Sequence, residues 1–273
     1  MKAMILAAGL GTRLRPLTDT IPKALVELNG RTLLEILITR LKSFGVTEII
    51  VNVHHHAEKI VSFLQANSNF GLRIELSRED DLLLDTGGGL KKAAWFFQEG
   101  NSGEPFLLHN VDVLSNIDFH QMLATHKKSS ALATLAVQKR PSSRQLLFDQ
   151  NNLLVGRSIN ATDALISKQR ENPTDRHSER SEESAFSSDS FTPSVFREGP
   201  LPLAFSGIHI ISPRLLNLIT ESGVFSIIDT YLRLSSSNEK ISAFRADSFY
   251  WRDLGRLEDL SAASIDMQQR KLL

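Results

Sequence analysis

The sequence GLGTR at 9–13 directly follows an apolar run at 4–8 and places two glycines beside basic side chains. Arginine forks bind phosphate oxygens in bidentate fashion and stay charged, so Arg13 and Arg15 are suited to neutralise a polyphosphate. Lys23 adds a point charge a short distance further along the chain. The turn lacks the lysine of a Walker A loop and the third glycine of a Rossmann fingerprint. This combination predicts a nucleotide site for phosphoryl or nucleotidyl transfer.

The overall composition argues against several other classes of function. The 273 residues include 31 basic and 31 acidic side chains, a balance that is untypical of nucleic-acid-coating or membrane-surface proteins. The absence of cysteine excludes a disulfide, a thiolate nucleophile and a zinc–thiolate site. The N-terminal apolar run is too short for a signal peptide, and no later run reaches membrane-spanning length. We expect a cytoplasmic protein with no nucleic-acid or membrane partner, working as a monomer or small homo-oligomer.

The elements that must position these residues alternate between strand and helix patterns. Continuous apolar runs predict strands buried on both faces, and apolar residues at helical spacing predict the helices between them. Predicted strands lie at 4–8, 47–53, 72–79, 105–113, 131–139, 201–212 and 240–247, and predicted helices at 33–44, 57–67, 87–97, 118–128, 213–219 and 225–234. Residues 248–273 predict an aromatic strand followed by a final helix. This order predicts an α/β fold with a mostly parallel sheet flanked by helices. The polar clusters at 9–15, 85–89 and 110–112 follow strands, where ligands of such folds bind.

The alternation breaks in the second half of the chain. Residues 144–158 predict two short strands around an Asn-Asn turn, which is a hairpin rather than another crossover. Residues 168–198 are rich in Ser, Glu and Arg and poor in aliphatic side chains. Because such a segment cannot offset its ordering entropy, we expect a disordered insertion that the fold does not require. We expect a single domain over 1–273 without a C-terminal β-helix domain, since no hexapeptide repeat is found.

Five segments together resemble the sugar-1-phosphate nucleotidyltransferases, the NDP-sugar pyrophosphorylase family. They are MILAAGLGTRLRPLTDTIPKALVEL (4–28), LDTGGGLKKA (84–93), HNVDV (109–113), FSGIHIISP (205–213) and WRDLGRLEDL (251–260). The resemblance is strongest to the short forms that make UDP-N-acetylmuramate or GDP-mannose. It implies a Rossmann-like sheet with a small antiparallel sugar-binding part. It also implies a nucleoside triphosphate and a sugar 1-phosphate as substrates and Mg²⁺ as the cofactor.

The resemblance further implies roles for individual residues. Arg13 would stabilise the pentavalent phosphorus and the departing pyrophosphate, and Lys23 would contact the phosphates that become bridged in the product. Asp112 and Asp253 would hold Mg²⁺, which prefers hard oxygen ligands. The implied nucleotide-binding positions are Ala8, Gly9, Gly11, Thr12, Gly87, Gly88 and Asn110, and the implied sugar-binding positions are Gly89 and Gly207.

Three positions depart from the family pattern. Val111 stands where members commonly have glycine, Arg256 where threonine is usual, and Ala24 where proline follows the lysine. These departures are compatible with altered substrate choice, reduced activity or simple drift, and Val111 and Arg256 also motivate the alternative of a non-catalytic nucleotide-binding relic. The expected activity is magnesium-dependent nucleotidyl transfer. The short chain favours UTP with an N-acetylated hexose 1-phosphate such as N-acetylmuramate 1-phosphate. A mannose-1-phosphate guanylyltransferase and a phosphocholine-type cytidylyltransferase stay open as alternatives.

Other chemically capable residues have an ordinary structural interpretation beside the functional one. Three adjacent histidines at 54–56 cannot all converge on one ion, so a polar loop is favoured over a zinc site. His109 is either close to the ribose and phosphates or a hydrogen-bonded residue at a strand end. Tyr250 and Trp251 could stack on a base or sugar, although core packing is the more frequent role of such aromatics. Asp85 either holds the glycine segment or contacts a ligand.

Overall fold

The computed structural model describes residues 1–100, 103–159, 166–167 and 199–270. The insertion predicted at 168–198 lies outside the described residues. Among the described residues, no helix combines the length and the apolar character that crossing a membrane requires.

The strands and helices occur in the order that the sequence predicts, with short additional strands beside the predicted ones. The strands are β1 (Lys2–Leu6), β2 (Glu27–Leu28), β3 (Arg31–Thr32), β4 (Glu48–Val53), β5 (Arg73–Arg78), β6 (Phe106–Asn110), β7 (Val113–Ser115), β8 (Ala133–Gln138), β9 (Arg144–Phe148), β10 (Leu154–Ile159), β11 (Ile166–Ser167), β12 (Leu201–Ile211), β13 (Ile241–Arg245) and β14 (Trp251–Asp253). The helices are α1 (Leu33–Ser43), α2 (Ala57–Ala66), α3 (Asp85–Lys92), α4 (Ala94–Gln98), α5 (Phe119–Ser129), α6 (Ile227–Ser236) and α7 (Leu257–Arg270).

Within the described residues, a ten-stranded sheet organises the molecule. Its main path runs β11-β10-β9-β12-β6-β1-β4-β5, and β8 joins β12 to β13. The strands β6, β1, β4 and β5 run parallel to one another, and β8 and β13 also form a parallel pair. Antiparallel pairing is concentrated around β12 and the hairpin of β9 and β10. The predicted α/β fold, with a parallel sheet flanked by helices and a small antiparallel part, is confirmed.

Burial on both faces explains why the strands read as continuous apolar runs. Ala3 and Ile5 of β1 belong to one core cluster, whereas Met4 between them belongs to the other. Since side chains alternate across a strand, each cluster covers one face of the sheet. The sheet is therefore packed on both faces, and its carboxyl edge carries the loops of the site.

Thr32 is the N-cap of helix α1, and its hydroxyl accepts a hydrogen bond from Glu35 N at 3.1 Å.

Three predicted elements differ from the observed ones. The strand predicted at 105–113 ends at Asn110, because the chain turns there and Val113–Ser115 leaves the main sheet to pair with β14. The helix predicted at 87–97 is interrupted at Ala93. The helix predicted at 213–219 is a 3-10 helix over Pro213–Leu218. The first of these differences matters for the site, because it positions Asp112.

Candidate active site

The turn after β1 takes a shape that requires glycine at one of its two glycine positions. Gly11 has φ of 64°, in the left-handed region, and its carbonyl accepts hydrogen bonds from Leu14 N and Thr18 Oγ1, both at 2.8 Å. A Cβ on Gly11 would lie 2.9 Å from Thr18 Cγ2 and 3.2 Å from Lys23 Cβ. A Cβ on Gly9 would meet no atom within 4 Å in the part of the chain that the structure describes. Gly11 therefore shapes the turn, whereas Gly9 leaves open space beside it.

Lys23 and Asp112 form an ion pair at the inner end of this turn. Lys23 starts a 3-10 helix over Lys23–Leu25 and is 8% exposed. Its Nζ donates to Asp112 Oδ2. The segment that carries Asp112 is fixed to the sheet by the neighbouring amide of Val111, which donates to Leu6 O at 3.1 Å. Each charge compensates the burial of the other, so the pair is held in place before any ligand binds.

The ribbon of β7 and β14 brings Asp253 next to Asp112 from far along the chain. Asp253 pairs in register with Val113, and Leu254 N donates to Asp112 O at 2.7 Å. Burial and the nearby charge of Asp112 raise the pKa of Asp253 above its ordinary value. Two carboxylates that repel each other favour a cation between them. Hard carboxylate oxygens fit Mg²⁺, which commonly takes one or two carboxylates and fills its remaining positions with phosphates and water.

Arg13 stands on the other side of Asp253. Its Nη2 lies 3.8 Å from Asp253 Oδ1, and its side chain is 55% exposed. Gly255 makes this approach possible, since a Cβ there would lie 2.4 Å from Arg13 Nη2 and 2.5 Å from Asp253 Oδ1. The Gly255 amide donates to Asp253 Oδ1 at 2.6 Å. Two acidic and two basic side chains therefore converge at one edge of the sheet.

Two adjoining clefts open at this edge. The first cleft has a volume of about 490 Å³ and contains many of the predicted nucleotide and phosphate residues, namely Ala8, Gly9, Gly11, Thr12, Arg13, Lys23, Asn110 and Asp112. The second cleft, of about 630 Å³, is lined by Gly207, Trp251 and Asp253 and by the arginines 140, 144 and 157. Asn110 lines both clefts. Most of the residues that the sequence assigned to the nucleotide, and both of those assigned to the metal, thus line the two clefts.

Gly87, Gly88 and Gly89 are packed behind the first cleft. The amides of Gly87 and Gly88 donate to Phe225 O at 2.9 and 3.3 Å. A Cβ on Gly87 would lie 2.3 Å from the Phe225 ring, and one on Gly88 would lie 2.5 Å from Gly223 O. Close packing therefore requires these two glycines, and Asp85 and Thr86 line the cleft in front of them. The nucleotide and sugar contacts of the three glycines stay predictions.

A buried polar chain supports the first cleft from below and was not found from the sequence. Ala7 N donates to Asn52 Oδ1 at 2.7 Å, and Asn52 Nδ2 donates to Glu79 Oε1 at 2.8 Å. Leu84 N donates to the other oxygen of Glu79 at 2.8 Å, and a Cβ on Gly89 would lie 2.8 Å from Oε1. The sequence signal that could have indicated this chain is the presence of Asn52 and Glu79 at the ends of neighbouring parallel strands. The hydrogen bonds of Asn52 and Glu79 join the turn after β1 to the start of α3.

A model of the nucleotidyl transferase family matches residues 2–146, which is more than half of the chain. The chain belongs to the nucleotidyl transferase family. The match spans the sheet from β1 to the start of the hairpin and includes the first cleft's turn, Lys23 and Asp112.

Curated relatives match about half of the chain. A probable mannose-1-phosphate guanylyltransferase 1 of Oryza sativa subsp. japonica is 39% identical over 140 residues, covering 51% of this chain and 38% of the relative. An N-acetylmuramate alpha-1-phosphate uridylyltransferase of Neisseria meningitidis serogroup B is 44% identical over 119 residues, covering 44% of this chain and 50% of the relative. The chain thus spans half or less of the length of these relatives.

Solved structures extend the likeness to nearly the whole fold. A putative glucose-1-phosphate thymidylyltransferase from Bacillus anthracis, in complex with a sucrose, superposes with a TM-score of 0.71 at 17% identity. The match covers 97% of this chain and 94% of that one. A UDP-glucose pyrophosphorylase complexed with UDP-glucose gives a TM-score of 0.69 at 16% identity, covering 98% of each chain. At such identities the likeness establishes the fold alone.

The departures from the family pattern lie beside the site rather than across it. Val111 is 5% exposed and packs into the core at the base of the first cleft. Ala24 is fully buried. Arg256 is exposed and pairs with Glu258 Oε1 at 3.2 Å. None of the three displaces Arg13 or Lys23, so the departures leave the charged groups of this family member in place.

The other histidines and aromatics have structural roles. His54 Nδ1 is 2.5 Å from Glu79 O, and His56 Nε2 is 3.3 Å from Asp19 O, which agrees with a polar loop. His109 is fully buried beneath the site, and burial lowers its pKa to about 4. In the described part of the chain, no group of three or more His, Asp or Glu residues forms a metal site. Trp251 is the exception, because it lines the second cleft.

Proposed function

We propose that this chain transfers a nucleotidyl group from a nucleoside triphosphate to a sugar 1-phosphate, with Mg²⁺, and releases NDP-sugar and pyrophosphate. The observation that carries the proposal is the convergence of Arg13, Lys23, Asp112 and Asp253 where the two clefts adjoin. Two clefts suit two substrates, and mixed charges between them suit a reaction between two phosphates. Family membership and the names of the relatives support the same reaction class.

The proposed reaction requires that the two substrates be positioned and that the negative charge of their phosphates be neutralised. An oxygen of the sugar phosphate attacks the α-phosphorus of the triphosphate and forms a new P–O bond. The bond from the α-phosphorus to the oxygen that bridges to the β-phosphate breaks, and that oxygen leaves with pyrophosphate. Because the attacking oxygen is already anionic, no strong general base is required. The charged residues between the clefts match this demand.

Arg13 and Lys23 differ in exposure, and we assign them different roles for that reason. Arg13 is half-exposed and lines the first cleft. Its guanidinium can bind the phosphates of the nucleotide and offset the charge on the departing pyrophosphate. Lys23 is buried and already paired with Asp112, so it is a fixed point charge for the phosphates that stay in the product. Its ammonium also holds the Asp112 carboxylate in one orientation.

Asp112 and Asp253 would hold Mg²⁺. Their carboxylates are adjacent, and burial together with the charge of Asp112 raises the pKa of Asp253, so a cation between the two acids would favour the ionised form of both. When bound, the ion would offset the negative charge of the phosphate oxygens during transfer. Arg13 lies beside Asp253, and Lys23 pairs with Asp112, so each acid also has a basic neighbour.

The charges of the second cleft favour a sugar substrate that carries an acidic substituent. Arg144 and Arg157 are diagonal neighbours on one face of the hairpin, because Arg144 pairs with Ile159 and Arg157 with Leu146. Arg157 bonds Asp229 at 2.7 Å, whereas Arg144 forms no ion pair within the described ranges. A carboxylate on the sugar would compensate this excess of positive charge. N-acetylmuramate 1-phosphate with UTP is therefore our preferred pair, and mannose 1-phosphate with GTP, named by another relative, is the alternative.

The test is pyrophosphate release measured for four nucleoside triphosphates against a panel of sugar 1-phosphates, with and without Mg²⁺. N-acetylmuramate 1-phosphate and N-acetylglucosamine 1-phosphate form a matched pair, because they differ in the carboxylate-bearing ether. We expect release with UTP and a preference for the acidic sugar that weakens in Arg144→Gln. Preference for GTP and mannose 1-phosphate would favour the alternative. Nucleotide binding without release for any pair would leave the relic hypothesis.

A further inference from the structure

Arg140 is a half-buried cation in the second cleft that no sequence motif indicates. Its Nη2 donates to Phe205 O at 2.7 Å, and its guanidinium lies 3.7 Å above the centre of the Trp251 ring. Its Nε is buried and has no hydrogen-bond partner among the described residues. The described residues also supply no carboxylate within ion-pair distance of it. A cation that has lost water without gaining a counter-ion is costly, and an anionic ligand would compensate it.

The position of Arg140 relates it to the reacting phosphates. Trp251 and Asp253 alternate to the same face of β14, so the guanidinium above Trp251 lies on the side of Asp253. Burial lowers the pKa of Arg140, and the charge of Asp253 opposes that shift. Arg13 approaches Asp253 from the first cleft, whereas Arg140 lines the second. Asp253 therefore has one arginine on the side of each cleft.

In-line displacement places the entering and the leaving oxygen on opposite sides of the phosphorus. Arg13 is on the nucleotide side, where pyrophosphate would leave. We propose that Arg140 binds the phosphate of the incoming sugar 1-phosphate and orients its attacking oxygen, an inference that rests on the proposed function. Trp251 and Phe205 O hold the guanidinium in one plane, which prepares its remaining donors for a phosphate.

The experiment compares Arg140→Gln with the wild type in two measurements. Steady-state kinetics gives KM for each substrate, and calorimetry with the nucleotide absent gives Kd for the sugar 1-phosphate. Glutamine keeps a donor for Phe205 O and removes the charge. We expect KM and Kd for the sugar 1-phosphate to rise about tenfold or more, with KM for the nucleotide changed by less than about twofold. Arg140→Lys should recover part of the loss, because it restores a charge without the planar fork.

The control is Arg214→Gln, which removes a surface arginine paired with Glu239 at 2.6 Å and is expected to change neither KM. A purely structural role of Arg140 would lower the melting temperature and raise both KM values together, and that result would overturn the inference. Turnover with an unchanged sugar KM in Arg140→Gln would overturn it while leaving the proposed function intact. A wild type that neither turns over nor binds any sugar 1-phosphate would overturn both.

Discussion

Gly255→Ala tests whether the distance between Arg13 and Asp253 matters for catalysis. The new Cβ would lie 2.4 Å from Arg13 Nη2 and 2.5 Å from Asp253 Oδ1, whereas ordinary contact begins near 3.4 Å. Each group must therefore move by about 1 Å to accommodate a single methyl group. Gly255 does not have a positive φ, so the backbone itself accepts alanine.

This movement should change the free energy of unfolding only slightly and lower kcat strongly. Arg13 is half-exposed and swings away freely, and the loss of the bond from Gly255 N to Asp253 costs about 0.5–1.5 kcal/mol. Under the proposed function, the same displacement moves Arg13 away from the position where it offsets charge on the departing pyrophosphate. Misplacement by about 1 Å can lower turnover by about a hundredfold. We therefore expect a nearly unchanged melting temperature and a loss of kcat of that order.

The assay is pyrophosphate release at saturating substrates, with thermal unfolding measured on the same samples. Gly199→Ala is the matched control, because its Cβ would meet no atom of the described residues within 4 Å and its φ is not positive. If Gly255→Ala keeps kcat within about threefold of the wild type, the close approach of Arg13 to Asp253 has no catalytic importance and the reasoning is refuted.

Three further predictions concern the charged groups and the core. Asp112→Asn should keep the fold and lose about several kcal/mol of transition-state stabilisation, and near-normal turnover with Mg²⁺ would contradict its metal role. Arg13→Ala should lower kcat about a hundredfold or more with a smaller change in nucleotide KM, and Arg13→Lys should recover only part; a rise in KM alone would indicate ground-state anchoring. Burial lowers the pKa of His109 to about 4 and that of His209 to about 3, from 6.5. The unfolded chain therefore takes up protons first as pH falls below 6.5, and stability at pH 5 should drop by about 2 kcal/mol per histidine relative to pH 7. Urea unfolding at both pH values checks this, and His209→Gln should reduce the difference.

The local patterns of the sequence predicted most of the sheet correctly because they record burial directly. A strand covered on both faces must be apolar throughout, and Met4 with its neighbours satisfies that requirement. The turn at 9–13 was also predictable, because two glycines directly follow a buried strand. Gly11 has the left-handed φ that favours glycine at such a turn. The end of β6 at Asn110 was not predictable, because Val111 and Val113 continue the apolar pattern.

The sequence by itself determined the fold class, the turn after β1 and the kinds of charge available for phosphate chemistry. The family resemblance implied that Asp253 lies beside Asp112, but the physical cause is in the tertiary structure, because the pairing of β7 with β14 joins segments distant in the chain. Only the tertiary structure decided the place of Arg140, whose position depends on Trp251 and the backbone of β12 rather than on any neighbour in sequence. Local patterns report the burial of each residue, whereas a site depends on which distant residues share one edge of the sheet. That choice is made by strand pairing and packing over the whole domain.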